Sequence, residues 1–170
     1  MRTRVEPYVL AISPSPRGFA FVLFQGPNQP FDWGVKEIRG KDKNVRCMLA
    51  IRKLLDKYQP TTIVIEDVIA RTKRGFRIRS LLRATERLAK ERNIRVFRYS
   101  RSDVKATFAA DNANTRPAIA QVIAERIPAF SHRLPPTRKI WQSEDARQAL
   151  FDAAALGITY YSGIPTPEEG

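Results

Sequence analysis

The chain has 170 residues, 43% of them hydrophobic, with nine Phe and two Trp, enough for one substantial core and short for two. A net charge of +13 and a pI near 10.5 exclude an acidic solvating protein and point to a polyanionic partner, most often nucleic acid. The sequence opens on no signal-peptide pattern and holds no apolar run of membrane-spanning length, so a cytoplasmic, nucleoid-associated location is expected.

The charge is unevenly distributed. Between Arg71 and Lys105 there are thirteen Lys or Arg against Glu86, Glu91 and Asp103, so this window carries +10 of the +13. Cys47 is the single cysteine and sits inside the apolar-periodic run VRCMLAIRKLL, which makes it a core thiol and rules out an intramolecular disulfide.

In chain order, YVLAIS, RGFAFVLFQG and FDWGVKEIR are short β-branched and aromatic runs separated by Pro and Gly turns. They predict an antiparallel meander, with Ser13 at the end of its first strand. Helical periodicity follows from Asn44 to Tyr58, closed by Pro60. The run TTIVIED then reads as a buried parallel strand. A second helix is predicted from Phe76 to Arg92, apolar through Ile78, Leu81, Leu82 and Leu88 and basic through Arg79, Arg83, Arg87 and Lys90.

A fifth strand, IRVFRYS, precedes a short helical turn around SDVKATF. Thr115 caps a further helix with Pro117 in its first turn. The segment AFSHRLPPTRKIWQ reads as irregular, with His132 in a surface or packing role, and Ser143 caps a last helix, EDARQALFDAAALGITYY. These elements predict an α/β fold in residues 1–162, a mixed five-stranded sheet of three antiparallel and then parallel strands with helices on both faces. Residues 163–170 are expected to form a disordered tail.

Polar groups interrupt apolar elements at three places: Ser13, the Glu66–Asp67 pair, and Asp152 in the last helix. A helix packed across the strand ends would bring Asp152 to Glu66. Clustered carboxylates are expensive to bury and usually bind a divalent cation, which can activate water for phosphodiester hydrolysis. For Asp152 the structural alternative is a solvated carboxylate or a pair with Arg147. Asp67, next to Glu66 in a strand, should point to the opposite face.

These residues carry a resemblance to the RuvC-type Holliday-junction resolvases of the RNase H-like superfamily, running from about Tyr8 to Tyr161. VLAISPSPRGFAFVLF resembles the family's opening motif, a strand ending in Asp-Pro-Gly before a second strand, and YQPTTIVIEDV its second motif. SDVKATFAADNANTRPAIAQVI resembles its basic segment and DARQALFDAAALGITYY its closing helix. The resemblance implies an RNase H-like fold and a homodimer that binds four-way DNA junctions and nicks them with Mg2+.

Carried over residue by residue, the four catalytic acids fall on Ser13, Glu66, Ala149 and Asp152, and the phosphate-contacting positions on Lys105 and Arg116. Two of the four acids are thus replaced. Glu66, Asp152 and Asp145 are the remaining candidates to hold Mg2+, weakly, although Asp145 and Asp152 are separated by seven residues, about 10 Å along a helix. Asp67 is the other candidate substitute.

The expected nucleic-acid contacts are Arg71, Lys73, Arg74, Phe76, Arg77, Arg79, Arg83 and Arg116, where Phe76 is either a staple onto its helix or an exposed ring that stacks on an unpaired base. Two principal readings stand. One is a RuvC-like protein that binds branched or duplex DNA and has lost most or all cleavage; the other is an active Mg-dependent, structure-selective endonuclease. A third is an RNase H-like nuclease acting on RNA, because phosphate contacts carry no sugar preference. The acid count favours the first.

Overall fold

In the computed structural model, residues 7–67, 75–135 and 147–163 are described. Five strands form one sheet: β1 Val9–Ser15, β2 Gly18–Gly26, β3 Gln29–Glu37, β4 Thr62–Glu66 and β5 Arg95–Tyr99, in the order β3-β2-β1-β4-β5. The first three pair antiparallel, and β4 joins β1 and β5 in parallel. This is the expected mixed sheet.

Among the described residues five α-helices accompany it: α1 Lys43–Tyr58, α2 Phe76–Glu91, α3 Arg101–Thr107, α4 Arg116–Arg126 and α5 Arg147–Ser162. Alternation along β1 decides which face each residue serves. Val9 and Ala11 join Val64 in a core with α4 and α5, whereas Leu10 and Ile12 join Ile63 and Ile65 in a second core with α1 and α2. The sheet is therefore covered on both sides, and Cys47 lies fully buried in the second core.

Two elements differ from expectation. β1 runs past Ser13 to Ser15, because the hairpin to β2 holds its pairing through Ser13↔Ala20, Pro14↔Phe19 and Ser15↔Gly18. Gly18 has φ +151, and a Cβ there would overlap the Lys36 carbonyl of β3, so this turn requires glycine. The segment after α4 is not wholly irregular: Pro128–Arg133 forms a short 3-10 helix that buries Phe130 against Trp33 and Phe151. His132 on it is exposed. The expected cap Ser143 and residues 164–170 of the expected tail lie outside the described residues.

Candidate nucleic-acid interface

β1 and β4 pair only from Val9↔Thr62 to Ala11↔Val64. The next residues on the same face are Ser13 and Glu66. Both therefore emerge toward α5 where the two strands part. α5 is almost wholly buried, from Gln148 to Tyr160, and Asp152 is the one residue of that run that is only partly so. Ser13, Glu66 and Asp152 line a single cavity of about 680 Å³, together with Lys105 and Arg116. Asp67, whose amide continues the β5 ladder by donating to the Tyr99 carbonyl at 2.8 Å, is not among its lining residues.

The basic side of the cavity comes from the short helix α3 and from the start of α4. Ser100 and Asp103 form a reciprocal capping box: Asp103 N–H donates to Ser100 Oγ at 3.1 Å and Ser100 N–H to Asp103 Oδ2 at 2.8 Å. That fixes α3, on which Arg101 and Lys105, four residues apart, share one face and line the cavity. At the start of α4, Thr115 Oγ1 accepts from Ala118 N–H at 3.2 Å and Pro117 occupies the first turn. Arg116 is the first helical residue, and its guanidinium lies bidentate on Asp152, with Nε donating to Oδ1 at 3.2 Å and Nη2 to Oδ2. Gln148, one turn earlier on α5, donates from Nε2 to the same Oδ1 at 3.2 Å.

The Arg116–Asp152 pair and Gln148 were not foreseen from the sequence, which offered Arg147 as the partner for Asp152. Ala149 is also placed differently from a residue beside an open ligand position. It is 5% exposed and packs within the α4–α5 core, while Gln148 is the residue that reaches the cavity. Tyr99, at the end of β5, lines the cavity as well. Burial above all, with smaller contributions from Tyr160 and Asp103, raises its pKa above the usual tyrosine value, so it stays a neutral phenol able to donate a hydrogen bond.

A hard divalent cation such as Mg2+ seeks near-octahedral oxygen coordination from carboxylates and water. Among the described residues no group of three or more His, Cys, Asp or Glu is placed to hold a metal ion. Ser13 brings only a neutral hydroxyl, and both oxygens of Asp152 are engaged by Arg116 and Gln148. The described donor set does not fit Mg2+; Asp145, the third metal candidate, lies outside the described residues. Among the described residues, the carboxylates lining the cavity are Glu66 and Asp152, against Arg101, Lys105 and Arg116.

The remaining nucleic-acid candidates are divided. Arg71, Lys73 and Arg74 lie outside the described residues. α2 packs on the sheet face opposite Asp152, and only its start lies at the strand ends that form the cavity. Arg77 there is held internally, donating from Nη2 to the Ser15 carbonyl at 2.6 Å and from Nη1 to Asn44 Oδ1 at 3.1 Å. Phe76 is 74% exposed, so it does not staple the helix. Arg79 is half-buried, and its Nε has no hydrogen-bond partner among the described residues. Arg83 and Arg87 are exposed further along α2, while Glu86 pairs with Arg98 and Lys90.

No family model matches the sequence, and no curated protein matches it. Solved structures do. Thermus thermophilus RuvC is 16% identical, with a TM-score of 0.65 over 89% of this chain and 92% of its own. The same protein in complex with a Holliday junction substrate gives 0.64 at 16% identity, over 90% and 91%. The fowlpox virus Holliday junction resolvase gives 0.56 at 12% identity, over 92% and 99%. At these identities the likeness is one of fold, and the fold is the RNase H-like fold of RuvC.

Proposed function

We propose that the protein is a RuvC-like nucleic-acid-binding protein that binds branched or duplex DNA as a homodimer and cleaves it weakly or not at all. The observation that carries this reading is the sign of the cavity among the described residues: Arg116 and Asp152 neutralise each other, which leaves two cationic side chains, Arg101 and Lys105, against one carboxylate, Glu66. Such a lining attracts an anion such as a backbone phosphate and offers little to a divalent cation. The solved structure of T. thermophilus RuvC with a Holliday junction substrate supports a four-way junction as the ligand to try first.

The convergence of Ser13, Glu66, Asp152 and Lys105 on one cavity favours the second reading, an active Mg-dependent endonuclease. The two readings separate in one assay. Fluorescence anisotropy with labelled four-way junction, linear duplex and an RNA junction, read beside a nicking gel in Mg2+, should show junction binding that weakens steeply with salt and no nicks. Efficient paired nicking lost in Glu66→Gln would establish the nuclease instead. Absent or salt-insensitive binding would sink both, and preference for the RNA junction would move the substrate to RNA.

A further inference from the structure

We infer that Arg116 is the resident cation of the cavity: its guanidinium takes the Asp152 carboxylate that a divalent cation would need, and so keeps such a cation out. This rests on the anion-binding reading above and adds a cause to it. A Ser at position 13 only lowers the number of oxygen donors, whereas Arg116 neutralises one of the carboxylates that remain.

Three features show that the pair is built into the fold. The first is its geometry. Both Asp152 oxygens are engaged, Oδ1 by Arg116 Nε and Gln148 Nε2 at 3.2 Å each and Oδ2 by Arg116 Nη2. A planar fork matched to a carboxylate is the arrangement that Lys could not reproduce. The second is anchoring. Arg116 is fixed at the start of α4 by the Thr115 cap and by Pro117, and α4 packs on α5 through Ile119, Ala120, Ile123 and Ala124. The side chains are 31% and 22% exposed, well below those of a mobile surface pair.

The third is electrostatic. The first turn of a helix carries the positive end of its dipole and favours acids, so an arginine at the first position of α4 has the wrong sign for its place. Asp152 compensates it. A cation entering the cavity would have to displace the guanidinium from Asp152 and would repel it beside the helix terminus.

The test uses Mn2+ alone as the probe, read as the free-ion electron paramagnetic resonance signal during titration. Four proteins are compared: wild type, Arg116→Gln, Ser13→Asp/Arg116→Gln, and Arg116→Gln/Asp152→Asn as the control for site. Wild type should show no saturable site. Arg116→Gln should gain a saturable site, at least about tenfold tighter than any binding by the wild type, the scale of one charge-assisted hydrogen bond. Ser13→Asp should strengthen it further, and Asp152→Asn should remove the gain.

Equal titration of wild type and Arg116→Gln, whether both bind or neither does, overturns the inference. Should Arg116→Gln fail to fold, nuclear magnetic resonance of the wild type decides. The Arg116 Nε–H signal, assigned by its loss in Arg116→Lys, should be unmoved by millimolar Mg2+, and its displacement overturns the inference. DNA binding and nicking by the wild type are measured alongside. Nicking would end the non-catalytic reading itself, whereas intact binding with a wild-type Mn2+ site would end only the role given to Arg116.

Discussion

Replacing Asp152 with Asn distinguishes a carboxylate held by an internal cation from one waiting for a metal. In the structure Asp152 accepts from Arg116 and Gln148 at partly buried positions, 22% exposed on its own side and 31% on that of Arg116. Asn keeps one acceptor oxygen but turns an amide, itself a donor, toward the second arm of the guanidinium. Charge-assisted hydrogen bonds contribute about 1.5 to 3 kcal/mol and partial exposure reduces this, so the variant should lose roughly 1 to 2 kcal/mol. For a chain of this size that is a fall in Tm of about 2 to 8 °C.

Releasing Arg116 should have a second effect. The cavity gains one effective positive charge, and the slope of log affinity against log salt for a four-way junction should steepen by about 0.9 if that charge meets a phosphate. Thermal unfolding followed by circular dichroism and anisotropy over a salt series measure the two. In a cluster of mutually repelling acids, neutralising one relieves repulsion and raises stability. A higher Tm for Asp152→Asn, with an unchanged salt slope, would refute the pairing and everything built on it.

Lys105→Ala, at the exposed face of α3, should weaken junction binding and lower the salt slope by about 0.9 without changing Tm; an unaltered slope would remove Lys105 from the interface. Gly157→Ala should destabilise by about 1 to 2 kcal/mol, because its Cβ would overlap the buried Phe24 ring and this overpacking exceeds the gain in helix propensity. Shortening the ring in Gly157→Ala/Phe24→Leu should recover part of that loss, as read by urea denaturation.

Tyr99 supplies a dependence on pH. Its folded pKa is raised, so the stability it contributes is complete below the usual tyrosine value of about 10 and is lost as pH rises through the folded value. Tyr99→Phe should flatten the fall in Tm above about pH 10, and an identical fall in both proteins would place Tyr99 in water.

The strand order and the two-sided core were legible because the signals are local. Alternation in VLAIS and a continuous apolar TIVI declare which strands are covered on both faces, and the same alternation puts Ser13 and Glu66 on one face. Asp152 was legible as the polar break in an otherwise apolar helix. Its partner was not, since Arg116 lies 36 positions earlier and reaches it only through the packing of α4 on α5. Arg147, five positions away, was the only candidate that local spacing could offer.

The basic helix shows the same limit. Its periodicity gave the length of α2 and its buried side, but not the face of the sheet it covers, so Arg83 and Arg87 were grouped with Lys105 although α2 lies across the sheet from Asp152. Arg77 likewise reads as a free cation in sequence, yet it ties α2 to the Ser15 carbonyl and to Asn44 of α1. Tyr99 was visible only as the end of a strand; its proximity to Glu66 follows from the β4–β5 register, Glu66↔Tyr99.

The central claim, a cavity that holds nucleic acid and cuts it weakly or not at all, is tested most directly by single-turnover nicking of a labelled four-way junction at saturating wild-type protein. Binding is followed in the same tubes, with Mg2+ and with chelator. The account predicts a fully bound junction under both conditions and intact strands in each. Bound junction that is efficiently nicked in Mg2+ and spared in chelator, with nicking lost in Glu66→Gln, would contradict it.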